Sequence, residues 1–305
     1  MIETYYGDCI RILSQLRDAG VKAQAVITDP PYYLDSIVKR FGKPDAARAK
    51  DAAFDRISKR FVGKTWDSSE AYQIANDVEF WKLVKDVLVA GAFVLSFASP
   101  RTGHRQICAI EDAGFEVHPF NAWVYASGMP KGKSAEKITD SPSFKGRFYG
   151  QQALKPSLEP IYMAQKPIEG TYRHNLLTHG TGSFGIDDCR YNGKWPSSLM
   201  HDGVATFENK DLFACEPYED ADRIFYSPKA NRSDRGGTGH PTVKPIHLLQ
   251  RLVRMVTRKG DTVIDMFAGS GTTGIACARE QRNAILIERE PDYYDKMVKR
   301  LFDSV

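Results

Sequence analysis

Residues 262 to 279 hold the most constraining pattern in the chain. An apolar run from Thr262 to Met266 meets a glycine-rich turn, and a helical pattern follows from Thr272 to Arg279. The turn reads Asp265-Met266-Phe267-Ala268-Gly269-Ser270-Gly271-Thr272-Thr273-Gly274. A strand feeding a helix through such a turn belongs to α/β sheets, which bind ligands beyond the carboxyl ends of their strands. Glycines let the backbone approach a ligand closely, and the free N–H groups that open the helix favour a negative group. The turn lacks the Gly-Lys-Thr ending of a nucleotide-triphosphate loop. Glu288 ends the next apolar run, Asn283 to Ile287, and can accept hydrogen bonds from both hydroxyls of a ribose. A structural turn beside an exposed acid is the plainer alternative; the strand context and the spacing to Glu288 favour a cofactor site.

The rest of the chain supports an α/β reading. Ala25 to Thr28 is a short apolar run, Phe80 to Leu88 has helical spacing ended by Gly91, and Ala92 to Phe97 reads as a buried strand. Arg105 to Ala113 reads as a helix, Phe115 to Tyr125 as extended, and 159–166 as a strand. A helix face at Leu248, Leu249, Leu252, Val253 and Val256 precedes the glycine turn, and Tyr294, Met297, Val298 and Leu301 mark a last helix. Alternating strands and helices imply a mainly parallel sheet covered on both faces. Residues 128–156, rich in Gly, Pro, Lys and Ser, read as an exposed loop, and 167–239 as an irregular insertion.

Composition excludes several classes. With 42% hydrophobic and 26% charged residues, the 305-residue chain can bury a sizeable core. No run approaches the roughly 18 apolar residues of a membrane span, and no secretory signal opens the sequence. Five scattered cysteines without C-x-x-C spacing, and no cluster of metal ligands, argue against a disulfide framework or a metal site and for a reducing cytoplasm. The net charge is only +4, but residues 38–64 carry nine Lys/Arg against three Asp, and 128–158 carry six against two acids. Two basic segments on a near-neutral body suit a polyanion on one side, although solvated helix faces would look the same.

Asp29-Pro30-Pro31-Tyr32 follows the apolar run that ends at Thr28. The prolines forbid continuation of a ladder or a helix. A carboxylate and a proline-fixed carbonyl can together accept hydrogen bonds from one exocyclic amine, while a neighbouring aromatic ring stacks on the base. A rigid turn is the plainer reading.

At these two motifs the chain resembles the S-adenosylmethionine-dependent DNA amino-methyltransferases, which modify adenine N6 or cytosine N4. Asp29 to Tyr32 match the family's catalytic motif and Asp265 to Gly274 its cofactor motif, in the order of the beta group. Gly7-Asp8-Cys9 is similar to the segment that meets the cofactor adenine, and His240-Pro241-Thr242-Val243-Lys244-Pro245 to the one preceding the cofactor motif. Trp123 to Tyr125 and Gly128 to Lys131 resemble the loop beside the base pocket. The resemblance implies a Rossmann-like methyltransferase fold: α/β, a mainly parallel twisted sheet with helices on both faces. It implies one domain over 1–305 with permuted motif order, in which 38–64 and 167–239 are candidate target-recognition regions. It also implies that S-adenosyl-L-methionine is held by Asp8, Cys9, Asp29, Lys244, Asp265, Phe267, Ala268, Gly269, Ser270, Gly271, Thr272 and Glu288. Catalysis would fall to Asp29, Pro30, Pro31 and Tyr32, acting on double-stranded DNA. A homodimer and a separate restriction endonuclease are compatible partners.

The expected reaction is direct methyl transfer to a flipped base. Cytosine-C5 methylation needs a thiolate, usually in a Pro-Cys dipeptide, and none occurs. A nicotinamide dehydrogenase would leave Asp29 to Tyr32 unexplained. Adenine N6 is the expected target, because cytosine-N4 enzymes of this motif order usually place Ser where Asp29 stands; cytosine N4 is the alternative. A non-enzymatic DNA-binding module is the rival of another class, and it predicts DNA affinity without cofactor affinity.

Overall fold

The computed structural model describes residues 1–32, 43, 73–125, 128, 131–190, 193–201, 225–236, 240 and 242–304. The basic stretch 38–64 thus lies outside the described residues, save for the exposed Lys43.

The strands in chain order are β1 Ile2–Tyr6, β2 Ala23–Thr28, β3 Leu88–Phe97, β4 Glu116–Val124, β5 Lys131–Ser134, β6 Phe148–Gln152, β7 Leu158–Gln165, β8 Leu199–His201, β9 Phe225–Tyr226, β10 Thr262–Asp265 and β11 Asn283–Glu288. The helices are α1 Cys9–Asp18, α2 Val78–Asp86, α3 Gly103–Asp112, α4 Ala135–Thr139, α5 Tyr172–His179, α6 Arg232–Arg235, α7 Ile246–Val256, α8 Thr272–Arg279 and α9 Pro291–Ser304. Nine strands form one sheet in the order β1-β11-β10-β2-β3-β7-β4-β8-β9, with β5 and β6 forming a separate pair. Only the pairings of β7, with β3 and with β4, are antiparallel in the large sheet.

Both faces of the central strands β2, β3, β10 and β11 are buried, which is why these read as apolar runs rather than alternating patterns. Ala25, Ile27, Val263 and Leu286 pack beneath α7, α8 and α9, together with Leu248, Ile275 and Met297. Their strand neighbours Val26, Ile264, Ile285 and Ile287 point the other way, against Leu13, Trp81 and Ile110 of α1, α2 and α3. Fully burying each such side chain contributes about 1.5–3 kcal/mol. The chain leaves β10 through α8 toward β11, whereas the partner of β2 on its far side is β3. The sheet order therefore reverses between β10 and β2, and both motifs leave the carboxyl ends of these adjacent strands. That is where open α/β sheets place their ligand crevice.

Three expectations need correction. Gly91 does not end a helix: α2 stops at Asp86, and Gly91 lies inside β3 at φ +75, where β2 and β3 shift register between Ala23 and Ala25. A Cβ at Gly91 would meet the Asn175 amide of α5 at 2.4 Å, so only glycine fits this bulge. Residues 128–156 are not simply a loop, since they form the β5–β6 hairpin with α4 between its strands. The stretch 167–239 is not merely irregular: β8 and β9 extend the large sheet, and Met200 and Asn175 are buried. Among the described residues, no helix is long and apolar enough to cross a membrane.

Candidate active site

The end of β10 is held by one carboxylate. Asp265 accepts hydrogen bonds from Thr28 Oγ1 at 2.8 Å, Thr273 Oγ1 at 2.6 Å and the Phe267 N–H at 3.1 Å. Burial raises its pKa to about 6, against the pull of those donors. Asp265 thus ties the end of β2, the turn and the start of α8 together with its own oxygens. The turn needs its glycines: Gly269 and Gly271 have φ of +52 and +77, and Gly271 caps α8 without a side chain.

Glu288 closes the other side. Its carboxylate accepts the Gly269 N–H and the Glu290 N–H, both at 2.8 Å, while its carbonyl accepts the Gly7 N–H at 3.0 Å. Through that last bond, the segment starting at Gly7 sits beside Glu288; Asp8 caps α1 by accepting the Arg11 N–H at 3.1 Å, and burial raises the Cys9 thiol to about 12. From α9, Arg300 Nη1 donates to the Ser270 carbonyl at 2.7 Å and to both the Ser270 and Thr272 hydroxyls at 3.0 Å. Ser270 and Thr272 therefore turn toward Arg300. His240 lies over Gly269, where a Cβ would approach its Nε2 to 3.1 Å, and its ring centre is 4.4 Å from that of Tyr293. Burial, reinforced by the surrounding cations, lowers the His240 pKa to about 3, so the imidazole is neutral.

Across the same cleft of about 340 Å³, Asp29 and Tyr32 meet three side chains from distant parts of the chain. Lys244 donates to Asp29 Oδ2, and its Nζ lies 3.4 Å from both Tyr32 OH and Glu159 Oε2. Glu159, on β7, accepts from Lys229 Nζ at 2.6 Å and from Tyr32 OH at 3.3 Å. The Lys229 ammonium sits 3.5 Å from the Tyr125 ring centre and 4.2 Å from that of Trp123. Burial pushes the Asp29 carboxyl upward, and the Lys244 charge opposes that shift. Among the described residues, the buried Asp29 Oδ1 has no hydrogen-bond partner.

The structure brings the sequence-derived residues other than Gly271 to one cleft: Asp8, Cys9, Asp29, Pro30, Pro31, Tyr32, Lys244 and Glu288 line it together with Asp265, Phe267, Ala268, Gly269, Ser270 and Thr272. Lys244, expected from sequence as a cofactor contact, points its ammonium at the Asp29 carboxylate. Glu159, Lys229 and Arg300 escaped the sequence reading. Two of them carried a signal. Glu159 is a lone acid in the apolar strand β7, and Arg300 shares the buried face of α9 with Tyr293, Met297 and Leu301.

Glu159 also makes a prediction. Burial alone would raise its carboxyl, but Lys244 and Lys229 together outweigh this and hold it at about 2 instead of 4.5. The folded carboxyl is depressed, so its contribution is complete above pH 4.5 and is lost as pH falls through about 2. Glu159→Gln should lower stability at neutral pH by about 3 kcal/mol, because the buried Lys244 and the partly exposed Lys229 lose their shared partner while Lys244 keeps Asp29. It should also flatten the acid limb in thermal melts recorded from pH 7 to pH 2. Superimposable melting profiles for variant and parent would remove Glu159 from this role.

The chain belongs to the DNA methylase family of N6- and N4-methyltransferases, whose model matches residues 23–299. It is similar to the type II methyltransferase M.HindIII of Haemophilus influenzae, 25% identical over 97% of this chain and 94% of that protein. Its fold resembles the crystal structure of the M1.HpyAVI–SAM complex, with TM-score 0.56 and 22% identity over 99% of each chain. It also resembles the cytosine-N4-specific PvuII DNA methyltransferase, with TM-score 0.54 and 18% identity over 98% of this chain and 86% of the other.

Proposed function

We propose that this DNA methyltransferase, whose methyl donor is S-adenosyl-L-methionine, acts on the exocyclic N6 of an adenine flipped out of double-stranded DNA. The observation that carries the exocyclic amine is Asp29: one carboxylate oxygen is held by Lys244, while the other, Oδ1, is buried and has no partner among the described residues. A buried acceptor without a donor costs roughly 1–3 kcal/mol. An entering amine N–H removes that cost, and the Pro30 carbonyl is the natural second acceptor on the rigid Pro30-Pro31 backbone.

The cofactor fits the other half. Gly269, at positive φ, offers bare backbone to the cleft, and Glu288 retains lone pairs for ribose hydroxyls beyond its two backbone bonds. Gly269, Phe267, Glu288 and the segment at Asp8 and Cys9 would hold it, and when bound it supplies an electrophilic methyl group. The chain's own residues orient and stabilise. Asp29 and the Pro30 carbonyl favour a tetrahedral amine whose lone pair is freed from the ring, and Asp29 stabilises the positive charge that develops on nitrogen. Lys244 opposes the rise that burial imposes on the Asp29 carboxyl and so favours its charged form. Tyr32 stacks on the extruded base, which offsets part of the few kcal/mol of flipping by about 1–3 kcal/mol.

A full carboxylate at Asp29 supports adenine over cytosine. We assign target recognition to 38–64 and 167–239 of a single permuted domain, and a cytoplasmic modification role beside a separate endonuclease, with a homodimer as the assembly. Sequencing genomic DNA from an expressing cell with detection of modified bases tests the reading. N6-methyladenine should appear at one recurring short motif and be missing from control cells; modification confined to cytosine N4 would overturn the choice of base.

A further inference from the structure

Arg300 is buried on the inner face of α9, beside Tyr293, Met297 and Leu301. Taking a guanidinium out of water is costly unless its donors find acceptors. Burial lowers its pKa only to about 10, so it is charged at neutral pH. Its partners lie on two segments that are far apart in the chain. Nη1 serves the glycine turn, at the Ser270 carbonyl and at the Ser270 and Thr272 hydroxyls. Nη2 donates to the Asp234 carbonyl on α6. Gly236, at φ +49, lies against the same side chain, where a Cβ would come within 2.9 Å of Nε.

Asp234 is where the two segments that carry ammonium groups to Asp29 and Glu159 meet. Its carboxylate accepts the Asn231 N–H at 3.0 Å, and its own N–H donates to Asn231 Oδ1 at 2.8 Å. This capping box closes two residues after Lys229. Asp234 Oδ1 also accepts the Ile246 N–H at 3.3 Å, two residues after Lys244. Both cations of the base side of the cleft are thus fastened, through short stretches of backbone, to the residue that Arg300 holds. The glycine turn already has Asp265 and Glu288 to secure it, so support of the turn alone leaves the second arm of Arg300 unexplained. A planar fork of donors can reach both sides at once, whereas a point charge cannot.

We infer that Arg300 is a positioning residue for methyl transfer: its fork sets the glycine turn at a fixed distance from the segments of Lys229 and Lys244, and so aligns the methyl group with the amine held at Asp29. This role rests on the reading of the cleft as a site for the cofactor on one side and a flipped base on the other. Productive geometry puts the reacting atoms about 3–3.5 Å apart, and a misplacement of about 1 Å costs on the order of 10²-fold in rate. Arg300 touches neither ligand; it acts through the two walls that hold them.

Two variants of the full chain test it, by single-turnover transfer of labelled methyl to sheared genomic DNA from cells that lack the enzyme. S-adenosylmethionine is held at a concentration that calorimetry shows to be saturating for each variant, so that affinity does not enter the rate. Arg300→Lys keeps the charge but has one ammonium for two sides, and it should transfer methyl about 10²-fold more slowly than the parent. Asn231→Ala, at the exposed start of α6, opens the capping box without touching the glycine turn. It should bind the cofactor as the parent does and yet be slower by about tenfold. A residue that only supports the turn predicts the reverse pattern: weaker cofactor binding, with the parent's rate restored at saturation. A parent-like saturated rate in either variant therefore overturns the inference. If Arg300→Lys does not bind the cofactor at all, Asn231→Ala decides alone. If the parent binds the cofactor and labels no nucleoside of that DNA, the reading of the cleft fails and the positioning role falls with it.

Discussion

Asp29→Asn should lower methyl transfer by about 10²–10³-fold or more while cofactor affinity stays within a few-fold of the parent. Asparagine keeps the size and the turn geometry but replaces a charged acceptor with a neutral one, and it puts an amide beside the Lys244 ammonium, which now donates to Oδ2. The developing positive charge on the amine then has no counter-charge within bonding distance. Single-turnover transfer at saturating cofactor isolates this effect, because affinity no longer enters the rate. The competing idea, that Asp29 merely shapes the turn before Pro30, makes the opposite forecast: asparagine is a good turn residue and would preserve the rate. Turnover near the parent's would therefore remove Asp29 from the chemistry. A variant that unfolds or loses the cofactor would mark Asp29 as structural.

Glu288→Ala should weaken cofactor binding by about 10- to 100-fold. The carboxylate has two duties that both depend on its charge: it accepts the Gly269 and Glu290 N–H groups and it faces the cleft where a ribose would lie. A hydrogen bond to a charged group contributes about 1.5–3 kcal/mol, and every 1.4 kcal/mol is tenfold in affinity. Gly269→Val should be at least as damaging, since a branched residue is strained at φ +52 and its Cβ crowds His240 Nε2 at 3.1 Å. Calorimetric titration with S-adenosylmethionine checks both variants. Parent-like affinity in two folded variants would place the cofactor elsewhere.

The two motifs were legible because each is local: a strand, a turn of fixed chemistry and the next element follow within a dozen residues. The same holds for the boundaries of α8, which the glycine turn and the apolar pattern define. Gly91 was misread because a positive-φ glycine after a helical pattern serves equally as a helix stop or a strand bulge, and only the contact with Asn175 tells them apart. The β5–β6 hairpin was hidden because neither of its faces is buried, so it has no alternating apolar pattern to see. Strands β8 and β9 have three and two residues, too short for any periodicity. The cluster around Asp29 was out of reach for another reason. Lys244 lies 215 positions from Asp29, and Lys229 lies 70 from Glu159, so folding alone brings these charges together.

Asp29 is proposed to present an exocyclic amine of a flipped base to the methyl group of the cofactor. Its most direct test is transfer of isotopically labelled methyl from S-adenosylmethionine to duplex DNA by the purified protein, followed by digestion to nucleosides and separation by mass. Label is expected in N6-methyladenine with the parent and is expected to be lost with Asp29→Asn. Label in N4-methylcytosine would correct the base and keep the amine chemistry, whereas label in 5-methylcytosine, or in no nucleoside, would rule out transfer to an exocyclic amine.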